Sequence, residues 1–356
     1  MPADTRTLHN LLLRLGMSCG NPPQALLDKL AQNESEVASH FNDIITFART
    51  HTVQGVVSDG LSFVSEAVEL PDVESMKLAI EIDGMEAENA KQNKVLAAIG
   101  NAAKKRGIRV VLQKGQNSAA LYPEPTHRAC GDIDLYMPDM TPEEFGEAMG
   151  IPKDKLEHDP DGGLTFTLGD QIVELHRSLM DVSRSNWDRT IAAVVAEEGY
   201  VEGPVDGILA TGPVSTLLML NTHILKHAMG HGIGLRQFCD LYLAYQKWGS
   251  DEEVMGAYRK AVADCGLTKW TEALDKYLDS LFNDGPATKD SLFEKITEGG
   301  NFGRGSKEHD ALANMSSIRR KIKTFSALMS RAGFGLRYAP REYCDYIAEL
   351  VKGQFD

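Results

Sequence analysis

The chain has 356 residues, of which 42% are hydrophobic and 25% are charged, so it is long enough for two or three domains with apolar cores. Its net charge of −14 argues against general binding to nucleic acid, and no apolar run approaches the roughly 20 residues of a membrane span. The five scattered cysteines include no Cys-x-x-Cys pair and residues 1–7 lack a basic signal start, so we expect a protein of the reducing cytoplasm.

The first part of the chain, residues 1–94, has the apolar spacing of helices throughout. Helices are predicted at residues 8–15, 24–30, 37–49 and from residue 73 onwards. The last of these leads the chain to its first predicted strand. We interpret the region as a helical cap on a central core of residues 95–200.

A strand followed by a tight turn opens this core. Residues 107–113 are rich in β-branched side chains, and Lys114 and Gly115 separate them from small residues at 117–121 that indicate a short helix. A glycine at such a turn lets a phosphate approach the backbone N–H groups, and Lys114 adds a positive charge. An ordinary turn with a solvated lysine is the alternative.

Three carboxylates lie on two predicted strands further along the core. Asp132 and Asp134 are two residues apart in the strand predicted at 131–137, so they point to the same face. Glu174 and His176 share one face of the second strand. Carboxylates this close repel one another unless a cation lies between them, and Mg²⁺ prefers oxygen ligands. If the two strands are neighbours, the three carboxylates form a metal site. Alternatively, the Asp-x-Asp pattern belongs to a surface loop.

A hairpin is predicted to bring in the strand that carries Glu174. The apolar alternation at residues 164–168 ends at Gly169-Asp170, and a two-residue connection of this kind is typical of a β-hairpin. Leu164 and Phe166 would then lie across from the Val173 region.

Residues 201–356 again have the spacing of helices. A helix that begins at Pro213 carries His223, His227 and His231 four residues apart, which is compatible with a transition-metal site. The glycines around His231 indicate, however, that the helix has ended there. His223 and His227 would then either pack in the core or face the cleft of the active site.

Charged residues outside the carboxylate strands are further candidates. Arg236 and Asp240 are spaced as a side-chain pair on one helix face, and they form either a structural ion pair or a substrate-orienting pair. Arg128 could bridge two phosphate oxygens or neutralise the carboxylates. Residues 311–341 carry seven basic side chains and no acidic ones at helical spacing, which indicates a solvated helix face or a surface for an anionic ligand.

Several of these motifs together resemble one protein family. They are Lys114-Gly115, Leu121-Tyr122-Pro123-Glu124-Pro125, Arg128, Gly131-Asp132-Ile133-Asp134-Leu135, Glu174-Leu175-His176, His223-Ile224-Leu225-Lys226-His227 and the segment 232–240. Over roughly residues 95–245 the chain resembles the uncharacterised bacterial nucleotidyltransferase family of the polymerase-β-like superfamily. The resemblance implies an α+β fold, with a small mixed sheet flanked by helices and with helical N-terminal and C-terminal regions.

The resemblance also implies a chemistry. Asp132 and Asp134 would hold Mg²⁺ or Mn²⁺ with Glu174 as the third carboxylate, and an acceptor would attack the α-phosphate of a nucleoside triphosphate such as ATP. Phosphate binding is implied for Lys114, Gly115, Ser118 and Arg128, and substrate orientation for His176, His223, His227, Arg236 and Asp240. The superfamily's usual Gly-Ser turn is Gly115-Gln116 here, and Ser118 is the candidate replacement for the hydroxyl.

We therefore predict a metal-dependent nucleotidyltransferase that releases pyrophosphate and modifies a small-molecule or macromolecular acceptor not identified by the sequence. Gln116 supports an alternative, a non-catalytic protein that binds nucleotide or a partner, such as a regulator or an antitoxin-like protein. A metal-dependent phosphohydrolase would use the same carboxylates.

Overall fold

Helices lie at both ends of the protein, and a mixed β-sheet lies between them. The computed structural model describes residues 3–18, 20–159, 162–180, 185–229, 232–283, 285, 293, 296–297, 300–301 and 332–352. Within these residues the sheet has both parallel and antiparallel strand pairs and is flanked by helices. The predicted α+β class is therefore confirmed.

The N-terminal region is helical, as predicted. Its helices are α1 (Ala3–Gly16), α2 (Gln24–Ala31), α3 (Glu34–Ser39), α4 (Phe41–Thr50), α5 (Gln54–Leu61) and α6 (Asp72–Lys104). The helix predicted at 37–49 is divided at His40, whose φ of −104° and ψ of 12° depart from helical values. Helix α5 was not predicted, because Gly55 and Gly60 weaken its helix propensity.

Helix α6 runs without a break through residue 94. Leu78 and Ile82 in its first half pack in the core of the N-terminal helices, whereas Leu96 and Ile99 in its second half pack against the sheet. The division into residues 1–94, 95–200 and 201–356 remains a proposal, in which the first two parts share this helix.

The sheet has seven strands in the described part of the chain. They are β1 (Val111–Leu112), β2 (Ile133–Tyr136), β3 (Glu157–His158), β4 (Leu164–Leu168), β5 (Gln171–His176), β6 (Tyr200–Glu202) and β7 (Leu209–Thr211). Their order across the sheet is β3-β4-β5-β2-β1-β7-β6. The strand β7, which was not predicted, lies beyond residue 200 and pairs in parallel with β1.

Two predicted strands are shorter than expected, and the predicted hairpin is confirmed. Only Val111 and Leu112 pair with both neighbouring strands, and β2 begins at Ile133, after Asp132. Strands β4 and β5 are antiparallel, with Phe166 opposite Val173 across the Gly-Asp connection.

One face of the sheet is packed on the second half of α6 and on α8 (Pro142–Met149), while the short α7 (Gln116–Ala119) follows β1. The buried apolar side chains on this face include Val110, Leu112, Ile133, Leu135, Phe145, Phe166, Val173 and Leu175. Since side chains alternate along a strand, Asp134 and Glu174 are turned to the opposite face.

The remaining helices are α9 (Ser185–Glu198), α10 (Pro213–Met229), α11 (Leu235–Trp248), α12 (Glu252–Asp264), α13 (Thr268–Phe282), α14 (Ala332–Tyr338) and α15 (Pro340–Lys352). They share one apolar core with the N-terminal helices, in which Leu12 and Phe41 are buried together with Leu217 and Phe238. Most of the predicted basic segment 311–341 lies outside the described residues. None of the helices in the described ranges is long and apolar enough to cross a membrane.

Candidate active site

The carboxylates of β2 and β5 lie side by side. These two strands are parallel neighbours, with Asp134 opposite Glu174 and Tyr136 opposite His176. His176 Nε2 lies 2.9 Å from Asp134 Oδ1 and 3.6 Å from Glu174 Oε2. One ligand atom from each of Asp134, Glu174 and His176 fits within a span of 4.8 Å. The condition on which the metal site depended, that the two strands are neighbours, is therefore met.

Asp132 completes this group of acidic residues from outside the strand. It lies on the exposed loop just before β2 and is hydrogen-bonded to Glu174. We call Asp132, Asp134, Glu174 and His176 the acidic edge. His176 was predicted to orient or protonate the substrate, and the structure adds that it is close enough to share a metal with the two carboxylates.

The charges of the acidic edge favour a cation. Burial raises the pKa of Glu174 to about 7, and repulsion by Asp132 and Asp134 contributes to this rise. Burial alone would also raise the pKa of Asp134. The charge of Lys114, whose Nζ lies 3.4 Å from Asp134 Oδ1, and the hydrogen bond with His176 outweigh burial and lower the pKa of Asp134 to about 2. A hard divalent cation fits this donor set, because it would relieve the repulsion that makes Glu174 retain a proton.

The turn between β1 and α7 lies opposite the loop that carries Asp132. Gly115 has a φ of +61°, a conformation that only glycine adopts without strain, and it places Lys114 and Ser118 in the wall of the cavity. The side chain of Gln116 is buried and donates a hydrogen bond to Gln92 on α6. Gln116 therefore does not line the cavity.

A buried ion pair connects this turn to helix α11. Arg128 Nε and Nη2 donate to the two carboxylate oxygens of Asp240 at 2.8 and 2.7 Å, and Nη1 donates to Gly115 O at 3.2 Å. Tyr122 Oη also donates to Asp240 at 2.6 Å. The intrahelical ion pair considered for Arg236 and Asp240 is therefore wrong: Asp240 binds Arg128, and Arg236 Nη1 donates to the Ala129 carbonyl at 2.6 Å.

Helices α10 and α11 contribute further residues to the lining of the cavity that holds the acidic edge. His223 and His227 face the cleft rather than the core, with ring centroids 4.3 Å apart. Burial lowers the pKa of His223 well below its usual value, and the nearby Lys114 adds to this effect, so its imidazole is neutral. We call His223, Lys226, His227 and Arg236 the basic wall. His231, the third member of the predicted array, lies outside the described residues.

Sequence reasoning did not single out Lys226 or Gln237, both of which line the same cavity. Lys226 could have been found, because it follows His223 by three residues and so shares a helix face with it. Gln237 carries no comparable signal, since it adjoins Arg236 on a helix whose orientation is set by packing.

All the predicted site residues line one cavity of about 230 Å³, namely Lys114, Gly115, Ser118, Arg128, Asp132, Asp134, Glu174, His176, His223, His227, Arg236 and Asp240. A larger groove of about 810 Å³ lies between α9 and α12. Among the described residues, the one cluster that could hold a metal belongs to the smaller cavity. We therefore place the candidate active site in the smaller cavity, because a large volume without suitable side chains does not indicate catalysis.

Comparison with known proteins identifies a family that covers the candidate active site. The family described as "Uncharacterised nucleotidyltransferase" matches residues 37–283, a range that includes both the acidic edge and the basic wall. The chain matches no curated protein and no solved structure.

Proposed function

Because the chain belongs to the uncharacterised nucleotidyltransferase family, we propose that it transfers a nucleoside monophosphate from a nucleoside triphosphate to an acceptor. The observation that carries this proposal is that the acidic edge and the basic wall line one cavity. A triphosphate needs a cation at its reacting phosphate and positive side chains along the rest of its length.

Each side of the cavity has a separate part in this proposal. Asp132, Asp134 and Glu174, with His176 beside them, would hold Mg²⁺ or Mn²⁺. The bound metal would neutralise phosphate charge and lower the pKa of the acceptor hydroxyl. Lys226 and Arg236 of the basic wall would bind the β- and γ-phosphates, and Lys114 and Ser118 would bind them from the turn. The neutral His223 can donate one further hydrogen bond to a phosphate oxygen.

The chemical step is an in-line displacement at the α-phosphorus. The acceptor oxygen forms a bond to this phosphorus while the bond to the bridging oxygen of the β-phosphate breaks, and pyrophosphate leaves. Glu174, which lines the cavity beside Asp134 and His176, would take the proton of the acceptor hydroxyl. The Arg128–Asp240 ion pair would hold the Gly115 turn and α11 together. Arg128 would not bind phosphate, because its Nε and Nη2 already donate to Asp240.

A protein that binds nucleotide without transferring it is the second candidate. It is favoured by Gln116, whose side chain supplies no hydroxyl to the cavity. The chemistry separates the candidates: a transferase releases pyrophosphate, a phosphohydrolase releases phosphate without labelling an acceptor, and a binding protein releases neither.

The test is calorimetric titration of the four nucleoside triphosphates with and without Mg²⁺, on the natural protein and on Asp132→Asn. Asp154→Asn is the matched control, because Asp154 is exposed and outside the cavity. Metal-dependent binding that is weakened by Asp132→Asn alone supports the proposal. The absence of binding to all four nucleotides would refute it.

A further inference from the structure

Two buried amide side chains connect two segments next to the cavity, the loop before Asp132 and the start of α7. Gln92 on α6 is 2% exposed and Gln116 at the start of α7 is 4% exposed. Gln92 Nε2 donates to the carbonyl of Gly131, and Gln116 Nε2 donates to Gln92 Oε1. We call this pair the amide clasp. Neither residue lines the cavity, so neither is placed to contact a ligand.

The clasp acts next to two residues of the candidate site, Asp132 and Gly115. Gly131 immediately precedes Asp132, which lies outside β2 and so makes no ladder pair there. Gln116 immediately follows Gly115, the residue whose backbone turns the chain out of β1. The two segments are close, because a Cβ on Gly115 would lie 3.6 Å from the carbonyl oxygen of Asp132.

Helix α6 also holds the loop before Asp132 at a second point. Asn89, three residues before Gln92 and therefore on the same helix face, donates to the carbonyls of Thr126 and Arg128 at 2.7 and 3.1 Å. Asn89 is 4% exposed. The loop from 126 to 131 is therefore fastened along one face of a long helix.

We propose that Gln92 is a positioning residue, which acts through Gln116 to fix the distance between the Lys114–Gly115 turn and Asp132. This proposal rests on the proposed function, because that distance sets how a triphosphate bound at the turn meets a metal at the acidic edge. It also accounts for glutamine at position 116, since a serine side chain there is too short to reach Gln92.

The experiment compares Gln92→Met, Gln116→Met and the double variant, in which methionine keeps the volume but cannot make these hydrogen bonds. Gln171→Met is the matched control, because Gln171 is also buried, at 3% exposure, and donates to Glu88 outside the cavity. Calorimetry gives the affinity for Mn²⁺ alone and for ATP with and without Mn²⁺. Thermal melts report loss of stability separately.

We expect Mn²⁺ to raise the ATP affinity of each single variant about tenfold less than it raises that of the natural protein, because the turn and Asp132 are no longer held at a fixed distance. The double variant should lose no more than either single variant, because both changes break one connection. A clasp with a merely structural role would lower the melting temperature and leave the metal-dependent gain intact, and that result would overturn the proposal.

A second measurement separates failure of this proposal from failure of the proposed function. Gln92→Met should speed hydrogen exchange of the backbone amides in residues 114–119 and 129–134, and Gln171→Met should not. If the natural protein binds none of the four nucleoside triphosphates, the proposed function fails and exchange still tests the clasp. Unchanged exchange in Gln92→Met would refute the clasp whether or not ATP binds.

Discussion

The acidic edge and the basic wall line the same cavity, yet they are built differently. The acidic edge comes from two adjacent strands and the loop before one of them, and its side chains are brought together by strand register. The basic wall comes from α10 and α11, and its side chains lie at helical spacing. The edge is therefore fixed by hydrogen bonds between strands, whereas the wall depends on how two helices pack.

This difference indicates how the two sides cooperate. Like charges are concentrated on each side, which is costly for the protein alone, and the cost falls when a metal and a polyanion occupy the space between them. The Arg128–Asp240 ion pair joins the loop before Asp132 to α11, so it links the acidic edge to the helix that carries Arg236. Substitutions in the acidic edge, in the Arg128–Asp240 ion pair and in the basic wall should therefore have different effects.

The largest effect is expected for the acidic edge. Asp134→Asn removes the buried carboxylate that contacts both Lys114 and His176, and it should lower turnover by at least about 10²- to 10³-fold while the fold is kept. The assay is pyrophosphate release, with circular dichroism as the check on folding. Turnover equal to that of the natural protein would show that the edge is not the catalytic centre.

Breaking the Arg128–Asp240 ion pair should have the largest effect on the free energy of unfolding. Asp240→Asn leaves the buried Arg128 guanidinium without its charge partner, and the free energy of unfolding should fall by about 3 kcal/mol. The control is Asp139→Asn, which breaks an exposed pair with Arg109 and should cost at most about 1 kcal/mol. Denaturant titration measures both, and equal losses would show that the buried pair has no special role.

A smaller effect is expected for the basic wall. Lys226→Ala should weaken binding of a nucleoside triphosphate about tenfold, which corresponds to the loss of one charge-assisted hydrogen bond. Binding of Mn²⁺ alone should not change, because the acidic edge is intact. Lys260→Ala is the control, since Lys260 is exposed on α12. A nucleotide affinity unaffected by Lys226→Ala would exclude this residue from the phosphate site.

The smallest effect is the pH dependence of stability that comes from His127, in the loop that leads to the acidic edge. His127 lies between Asp59 on α5 and Glu86 on α6, and the hydrogen bond to Asp59, followed by the one to Glu86, raises its pKa from 6.5 to about 9. Since the folded-state pKa is the higher one, the stabilisation is complete below about pH 6.5 and is lost as the pH rises through 9.

Comparison with His127→Gln tests this dependence. The natural protein should be more stable than the variant by about 1 kcal/mol at pH 6, after allowance for solvent screening, and the difference should disappear by about pH 10. Denaturant titrations at the two pH values give the difference. A stability difference that stays constant with pH would mean that His127 acts through packing rather than charge.

The sequence predicted the acidic edge more fully than it predicted the wall. The alternation of apolar residues around Asp134 and Glu174 assigned both to strands, and the Gly-Asp connection predicted the hairpin that the structure confirms. The partner of Asp240 was not predictable, because helical spacing pointed to Arg236 and the actual partner, Arg128, is 112 residues away.

The sequence by itself determined the helical ends, the strands that carry Asp134 and Glu174 and the hairpin between β4 and β5, because these depend on short-range patterns of two to four residues. Only the tertiary structure decided that His223 and His227 face the cleft, that Arg128 is held by Asp240, and that Gln116 turns away from the cavity to Gln92. Those outcomes depend on contacts between distant segments, where burial requires each polar group to find a hydrogen-bonding partner and local spacing does not specify which one.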